Sequence, residues 1–378
     1  MNYELMYDIA LTMTPGLGVR GIVHLLEYFE SAEKIFNASE AELIHFARIN
    51  PKVAKAIVSH QSFAQAEREV EYCSRNNITP IASTDPRFPT LLKLISDYPH
   101  VLYVMGNIEA LSGHNVSIVG TRRMSSYGDR MCHDLVMGLS NSLQGNVTII
   151  SGLAFGIDAA AHRAALHFGA TTVAVLANAL PSVSPSQHTS LAADILAQGG
   201  ALVSEYHSQS KQRGGFYIAR NRIIAALSPV TVVVESPLTG GSMATASIAH
   251  GYDRSVMAIP GRLTDPNCAG CNTLIRNNQA QLLISAEQLI REMMWDTPNA
   301  ADRNLIEPLS SPAEYSPQQA VIMSAFSQNE PLSAQYLASI SGLNAQNLSA
   351  ILTELELLGA IRMLPGNRYE QLNAVVAR

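Results

Sequence analysis

Between residues 107 and 290 the chain repeats one unit: a short run rich in β-branched residues, then a longer stretch with helical spacing. NVSIVG precedes a helix expected from about Tyr127, and VTIISG precedes another from about Asp158. TTVAVLA, ALVSEY, VTVVVES and SVMAIPG continue the series, with HTSLAADILAQGG, NRIIAAL and MATASIAHGY between them. Strands apolar on both faces and alternating with helices bury themselves as a parallel sheet covered on each side. The fold class expected is therefore α/β, a Rossmann-like doubly wound, mostly parallel sheet. ITPIAS and VLYVMG read as two further strands upstream, with the turn and helix of DPRFPTLLKLI between them.

The flanks differ from this middle. Residues 1–70 read as a helical domain, in which Ser39 and Glu42 form a capping box. Its helix–PGLG–helix pattern resembles a helix-hairpin-helix, or SAM-like, module. The alternative is an ordinary short turn in a helical cap, which the presence of Arg20 as the one cation near the turn favours. Residues 295–316 are rich in Pro, Ser, Asn and Asp and read as a linker. Three helical stretches and a hairpin tipped by Gly366-Asn367 then match a winged helix over 317–378. The division expected is 1–70, 71–294, 295–316 and 317–378.

Hydrophobic residues make up 47% of the 378 and charged residues 15%, the balance of a globular chain. No apolar run approaches the ~18 residues of a membrane span, and Glu4 and Asp8 stand where a signal peptide carries cations. A cytoplasmic location without a membrane partner is expected. Four cysteines fit a reducing compartment. Cys268 and Cys271 form a single C-x-x-C without a second, so a plain loop is expected there, with no metal and no cofactor.

The net charge of −6 does not mark a nucleic-acid binder, but its distribution is uneven. Residues 107–290 carry eleven Lys/Arg against ten Asp/Glu, while both flanks are acidic. Arg122, Arg123, Lys211, Arg213, Arg220, Arg222 and Arg262 fall in expected loops or at helix starts. In open α/β sheets ligands sit beyond the carboxyl ends of the strands. Two such ends carry glycine loops here: Gly120-Thr121-Arg122-Arg123 and Ser151-Gly152. Such glycines let backbone N–H groups approach an oxyanion, and the next helix N-terminus adds positive charge. Neither loop is a full G-x-G-x-x-G, and a Walker A motif is absent. Ser151 with His162 or His188 lacks the G-x-S-x-G elbow of a hydrolase, and Asp158 and His162 read as a structural pair or cap.

Arg122 beside Gly120 offers a fork of donors to a phosphate; the alternative is pairing with a carboxylate such as Asp129. In FYIARNRIIAALSPV, Phe216 and Tyr217 precede Arg220, Asn221 and Arg222. Aromatic faces stack on unpaired bases while arginines follow phosphates. Core packing for one ring, and salt bridges to Glu205 or Glu235 for the arginines, are the competing assignments.

At these residues the chain resembles the DNA-processing protein A family (DprA, also called Smf). SIVGTRR, SGLAFGIDAAAHRAAL, GGALVSEY, RNRIIAALS, GGSMATA, MAIPGR and GCNTLI carry the resemblance along almost the whole chain. It implies a cytosolic, homodimeric protein that binds single-stranded DNA on its Rossmann-like domain. It also implies delivery of that DNA to the recombinase RecA in natural transformation, without catalytic turnover. The family's glycine–arginine loop falls on Gly120, Thr121 and Arg122, and its RNR on Arg220, Asn221 and Arg222 after Tyr217. Its later glycine loop falls on Gly241, Ser242 and Thr245. With Arg123, Gly152 and Lys211 these are the expected DNA-binding residues.

Three positions depart from the family pattern. Phe155 and Ser186 replace usual basic residues, leaving Lys211 and Arg213 to supply charge, and Gly251 stands where a glutamate is usual. The chain is also similar around TGGSMATAS to the cytokinin-activating type of nucleotide phosphoribohydrolase, the alternative function. That chemistry needs a carboxylate on the helix after the glycine loop, which ATASIAHGY lacks. A DNA-reading winged helix is a third alternative. Its expected recognition helix, AQNLSAILTELELLG, has Glu354 and Glu356 but no cation, so contact with protein or support of a dimer is expected instead.

Overall fold

The computed structural model describes residues 3–45, 47–210, 214–295, 315–326, 331–357, 360–364 and 368–371. It divides into two compact units, residues 1–295 and 296–378.

The larger unit is built on one nine-stranded sheet. Its strands are β1 (Ile78–Ala82), β2 (Val101–Gly106), β3 (Asn115–Val119), β4 (Thr148–Ser151), β5 (Thr171–Val175), β6 (Ala201–Ser204), β7 (Val230–Val233), β8 (Ser255–Ala258) and β9 (Gln281–Leu282). The spatial order is β1-β2-β6-β5-β4-β3-β7-β8-β9. From β6 to β9 every pairing is parallel, whereas β1 with β2 and β2 with β6 are antiparallel. β3 and β7 are buried at every residue, because helices cover both faces. That double burial is what wrote unbroken apolar runs into the sequence. One core layer holds Ile150, Val173, Ile223 and Val233; the other holds Val116, Ile118, Leu139 and Ile149.

The order of the strands reverses at β3. The chain runs outward from β3 through β4 and β5 to β6, then returns to place β7 on β3's other side. The loops leaving β3 and β7 therefore diverge, and a crevice opens between them.

Six helices occupy the N-terminal stretch, ending with Phe63–Arg75. The capping box at the fourth is formed: Glu42 N–H donates to Ser39 Oγ at 3.2 Å, and Ser39 N–H to a Glu42 carboxylate oxygen at 2.8 Å. These helices share a core with the sheet, from Ile9 and Leu25 to Val101 and Leu202. Buried polar ties reinforce the contact. His100 Nε2 lies 2.9 Å from Asp8 Oδ1, while its Nδ1 lies 2.8 Å from Ser83 Oγ. Glu69 accepts from the backbone N–H of Ser208 at 2.8 Å.

The smaller unit has helices Pro317–Ala325, Ala334–Ser341 and Ala345–Leu357, with strands β10 (Leu332–Ser333), β11 (Ile361–Leu364) and β12 (Arg368–Gln371). All three strands pair antiparallel, in the order β10-β12-β11, which is the winged-helix arrangement. Ser316 and Gln319 close a capping box at its start, and Ile322, Phe326, Leu337 and Leu355 fill its core. The expected hairpin tip, Gly366-Asn367, and most of the expected linker lie outside the described residues. Among the described residues no helix is long and apolar enough to cross a membrane.

Candidate nucleic-acid interface

The crevice at the strand-order reversal is a cleft of about 360 Å³. Gly120, Thr121, Arg122, Tyr217, Arg220, Asn221, Gly241, Ser242 and Thr245 all line it. A neighbouring hollow of about 210 Å³ shares Arg122, Tyr217 and Arg220, and adds Gly152, Phe155 and Ser184. Loops after four strands, β3, β4, β5 and β7, and one helix face meet here.

The first wall is the loop after β3. Thr121 N–H donates to the Glu235 carbonyl at 2.7 Å, and Ile157 N–H donates back to the Thr121 carbonyl at 3.2 Å, so the loop is pinned from both sides. A Cβ on Gly120 would lie 2.5 Å from Ile157 Cγ1, which leaves only glycine room at this turn. Pinned in this way, the loop projects Arg122 and Arg123 outward, and both are exposed.

The second wall is the helix Gly215–Leu227. Tyr217, Arg220, Asn221 and Ile224 fall at i, i+3, i+4 and i+7, so one face turns toward the cleft. The Arg122 guanidinium carbon sits 5.6 Å from the centre of the Tyr217 ring, within cation–π range. Tyr217 Oη lies 3.1 Å from Ser184 Oγ, which fixes the ring's far end. Phe216 behaves differently: it stacks flat on Tyr206, with centroids 3.9 Å apart. The aromatic pair is thus split, one ring at the site and one in packing.

Arg220 forms the floor. Only 4% exposed, it donates from one terminal nitrogen to the Gly152 carbonyl at 2.6 Å and to the Val175 carbonyl. Buried Asp158 accepts from the N–H groups of Gly152 at 3.2 Å and Ala154 at 3.4 Å. Burial raises the Asp158 carboxyl above its ordinary range, with the Arg220 charge and these N–H groups acting in opposition. Arg220 therefore ties β4's loop to β5 and balances a buried acid. Its charge contributes to the cleft's potential from below.

Arg222 is placed elsewhere, which corrects its expected DNA contact. Two residues beyond Arg220 is about 200° around a helix. Its guanidinium turns from the cleft onto the carboxylates of Glu205 and Asp97, and the residue is 8% exposed. Burial raises the Glu205 carboxyl and Arg222 pulls it back. The salt-bridge assignment holds for Arg222, with Glu205 as its partner.

The third wall is the turn into the helix Gly241–Gly251. Gly240, at φ 151°, has a backbone conformation that L side chains rarely adopt. The helix N-terminus at the rim adds partial positive charge. Ser242 Oγ and Thr245 Oγ1 are committed internally, to Ser236 Oγ at 2.8 Å and the Gly241 carbonyl at 2.9 Å. Asn221 Nδ2 reaches that carbonyl at 3.4 Å. These polar side chains shape the turn more than they offer free donors.

Among the described residues, a second expected contact, Arg123, stands apart from the cleft. Arg123 is exposed beside it without lining it, and Lys211 and Arg213 lie outside the described residues. Asp158 and His162 do not pair. His162 Nδ1 lies 2.7 Å from Thr172 Oγ1, and burial, seconded by nearby cations, pushes the imidazole down to about 3. The C-x-x-C is not a plain loop, since Cys271 lies in the helix Ala269–Arg276 and donates to the Val233 carbonyl. Sequence reasoning missed Asp158 as part of the floor, and Glu235, fully buried at the end of β7 and accepting from Ser125 N–H at 2.8 Å. An acid closing a buried, β-branched strand was the available signal.

Comparison with known proteins places this geometry. The chain is 30% identical over 401 residues to Protein Smf of Synechocystis sp., spanning 98% of this chain and 99% of that one. It is 34% identical to Protein Smf of Escherichia coli over 74% of each. The crystal structure of DNA processing protein A (DprA) from Streptococcus pneumoniae superposes with a TM-score of 0.67 at 29% identity, covering 76% of this chain and 97% of that one. DNA processing protein A from Helicobacter pylori, whose structure is described for its single-stranded DNA binding mode, gives a TM-score of 0.52 at 27% identity, over 59% and 98%. A DprA winged-helix domain model matches residues 307–367. A sequence model of the DNA recombination-mediator protein A family matches residues 79–294, and the chain belongs to that family, the DprA/Smf proteins.

Proposed function

We propose that the two adjoining hollows form one binding track for single-stranded DNA, with Arg122 as phosphate contact and Tyr217 as base-stacking surface. The observation that carries this reading is the exposed Arg122 guanidinium set over Tyr217 at the strand-order reversal. A cation beside an aromatic ring is the pairing that sequence-tolerant single-strand binders use. The Helicobacter pylori relative, described for its binding of single-stranded DNA, supports the same assignment. Arg123 and the N-terminus of the helix at Gly241 add to the attraction for phosphate.

In this reading the protein acts in DNA processing during natural transformation: it protects incoming strands and passes them to RecA, as a homodimer in the cytoplasm. It has no catalytic turnover. The helix after Gly240 carries no carboxylate, and Asp158 is held by two backbone N–H groups beside a buried arginine, which suits a structural group. The test is Arg122→Ala in full-length protein. Weakened binding of oligo-dT with an unchanged melting temperature is expected; unchanged affinity overturns the assignment. Incubation with nucleoside monophosphates is expected to release no free base, and release would favour the phosphoribohydrolase alternative. RecA filament assembly on coated single strands should quicken on adding the protein, and sedimentation should report two chains.

A further inference from the structure

We propose that Glu235, Asp265 and Cys268 bind a divalent transition-metal ion of the zinc class, through one thiolate and two carboxylates. A carboxylate oxygen of Glu235, one of Asp265 and Cys268 Sγ all lie within 4.8 Å of one another. Tetrahedral zinc holds oxygen at ~2.0–2.2 Å and sulfur at ~2.3 Å, so the three donors need to draw in by about 1 Å. They leave the fourth position to water.

The second observation is at Glu235 itself. Its side chain is fully buried, and its Oε1 has no hydrogen-bond partner among the described residues, while Oε2 accepts from Ser125 N–H. A buried carboxylate oxygen left unmatched is costly unless something cationic meets it. Asp265 is fixed in the same one-sided way, its Oδ1 accepting from Asn267 N–H at 2.8 Å. Cys268 is 3% exposed, so its sulfur is shielded from bulk solvent. Binding expels the thiol proton to solvent as the sulfur–metal bond forms, so charge and protons balance. Sulfur among the donors selects zinc, cobalt or their neighbours over magnesium and calcium.

The site differs from the C-x-x-C reading of the sequence, because Cys271 turns to Val233. It also lies behind the DNA-facing loop. The Glu235 backbone carbonyl holds Thr121 and its carboxylate holds Ser125, on either side of Arg122 and Arg123. An ion here would clamp the 261–268 turn to the base of that loop.

The test uses the full chain, reduced, stripped with a chelator and titrated with Co²⁺ alone, without DNA. A thiolate-to-cobalt absorption band saturating at one equivalent per chain, and erased by Zn²⁺, is expected. Cys268→Ser should abolish the band and Cys271→Ser should keep it. Asp265→Asn, at a half-buried position that should tolerate the change, should weaken binding by roughly tenfold or more while retaining its circular dichroism. No band in the parent chain, a band surviving in Cys268→Ser, its loss in Cys271→Ser, or unchanged affinity in Asp265→Asn would each overturn the proposal. None of these readouts depends on DNA binding.

Discussion

Arg122 holds its guanidinium carbon 5.6 Å above the centre of the Tyr217 ring, joining the loop after β3 to the helix that precedes β7. The two residues are 95 positions apart in sequence and meet at the strand-order reversal. Their meeting brings a cation and an aromatic ring together at one spot. Each should therefore matter for binding and little for stability. Tyr217→Ala is expected to weaken single-strand affinity by about 1–3 kcal/mol, the worth of one stacked base, and Tyr217→Phe to keep most of it. Fluorescence anisotropy with labelled oligo-dT checks both, beside thermal melts that should not move.

Arg220 and Arg222, by contrast, should both matter for stability. Each is buried and faces acid, so truncation leaves Asp158, or Glu205 and Asp97, without a counter-charge. Arg220→Ala and Arg222→Ala are expected to cost about 3–5 kcal/mol of stability. Chemical denaturation measures this directly. A variant with full stability and impaired binding would return that arginine to the set of direct DNA contacts.

Phe155, 44% exposed in the second hollow, stands where the resemblance to the family implies a cation. Phe155→Lys should add one phosphate contact, tightening binding at low salt and steepening the plot of log K against log salt by about 0.7. An unchanged slope would mean that DNA does not pass this hollow.

His162 makes stability pH-dependent. Its folded value, about 3, lies below the ordinary imidazole value of 6.5, so between the two the unfolded chain binds the proton and the folded one does not. Stability should then fall with acidity, by about 2 kcal/mol from pH 7 to pH 5, on this group's account. Denaturation of parent and His162→Gln at both pH values isolates it: the difference between them should shrink by that amount as pH falls.

The sheet was legible because burial on both faces leaves unbroken apolar runs that nothing else explains. The antiparallel attachment of β1 and β2 was not, since direction leaves no mark in a short strand such as ITPIAS. At the site, the glycine loops could be read from their place after strands. The arginines could not be sorted, because that depends on where the helix begins. A helix read from NRIIAAL puts Arg220 and Arg222 together at its mouth. The actual start at Gly215 sends them to opposite sides. The metal-binding cluster was hidden for another reason: Glu235 and Cys268 are 33 residues apart and meet only across the end of β7.

The central claim is that an arginine and a ring at this cleft hold unpaired DNA. Titration of the full chain with oligo-dT and with a hairpin duplex of equal length, across a range of salt, tests it most directly. The account predicts tighter binding of the single strand, with log K falling against log salt at about −0.7 for each phosphate contacted. Equal affinity for duplex, or a slope near zero, would contradict it.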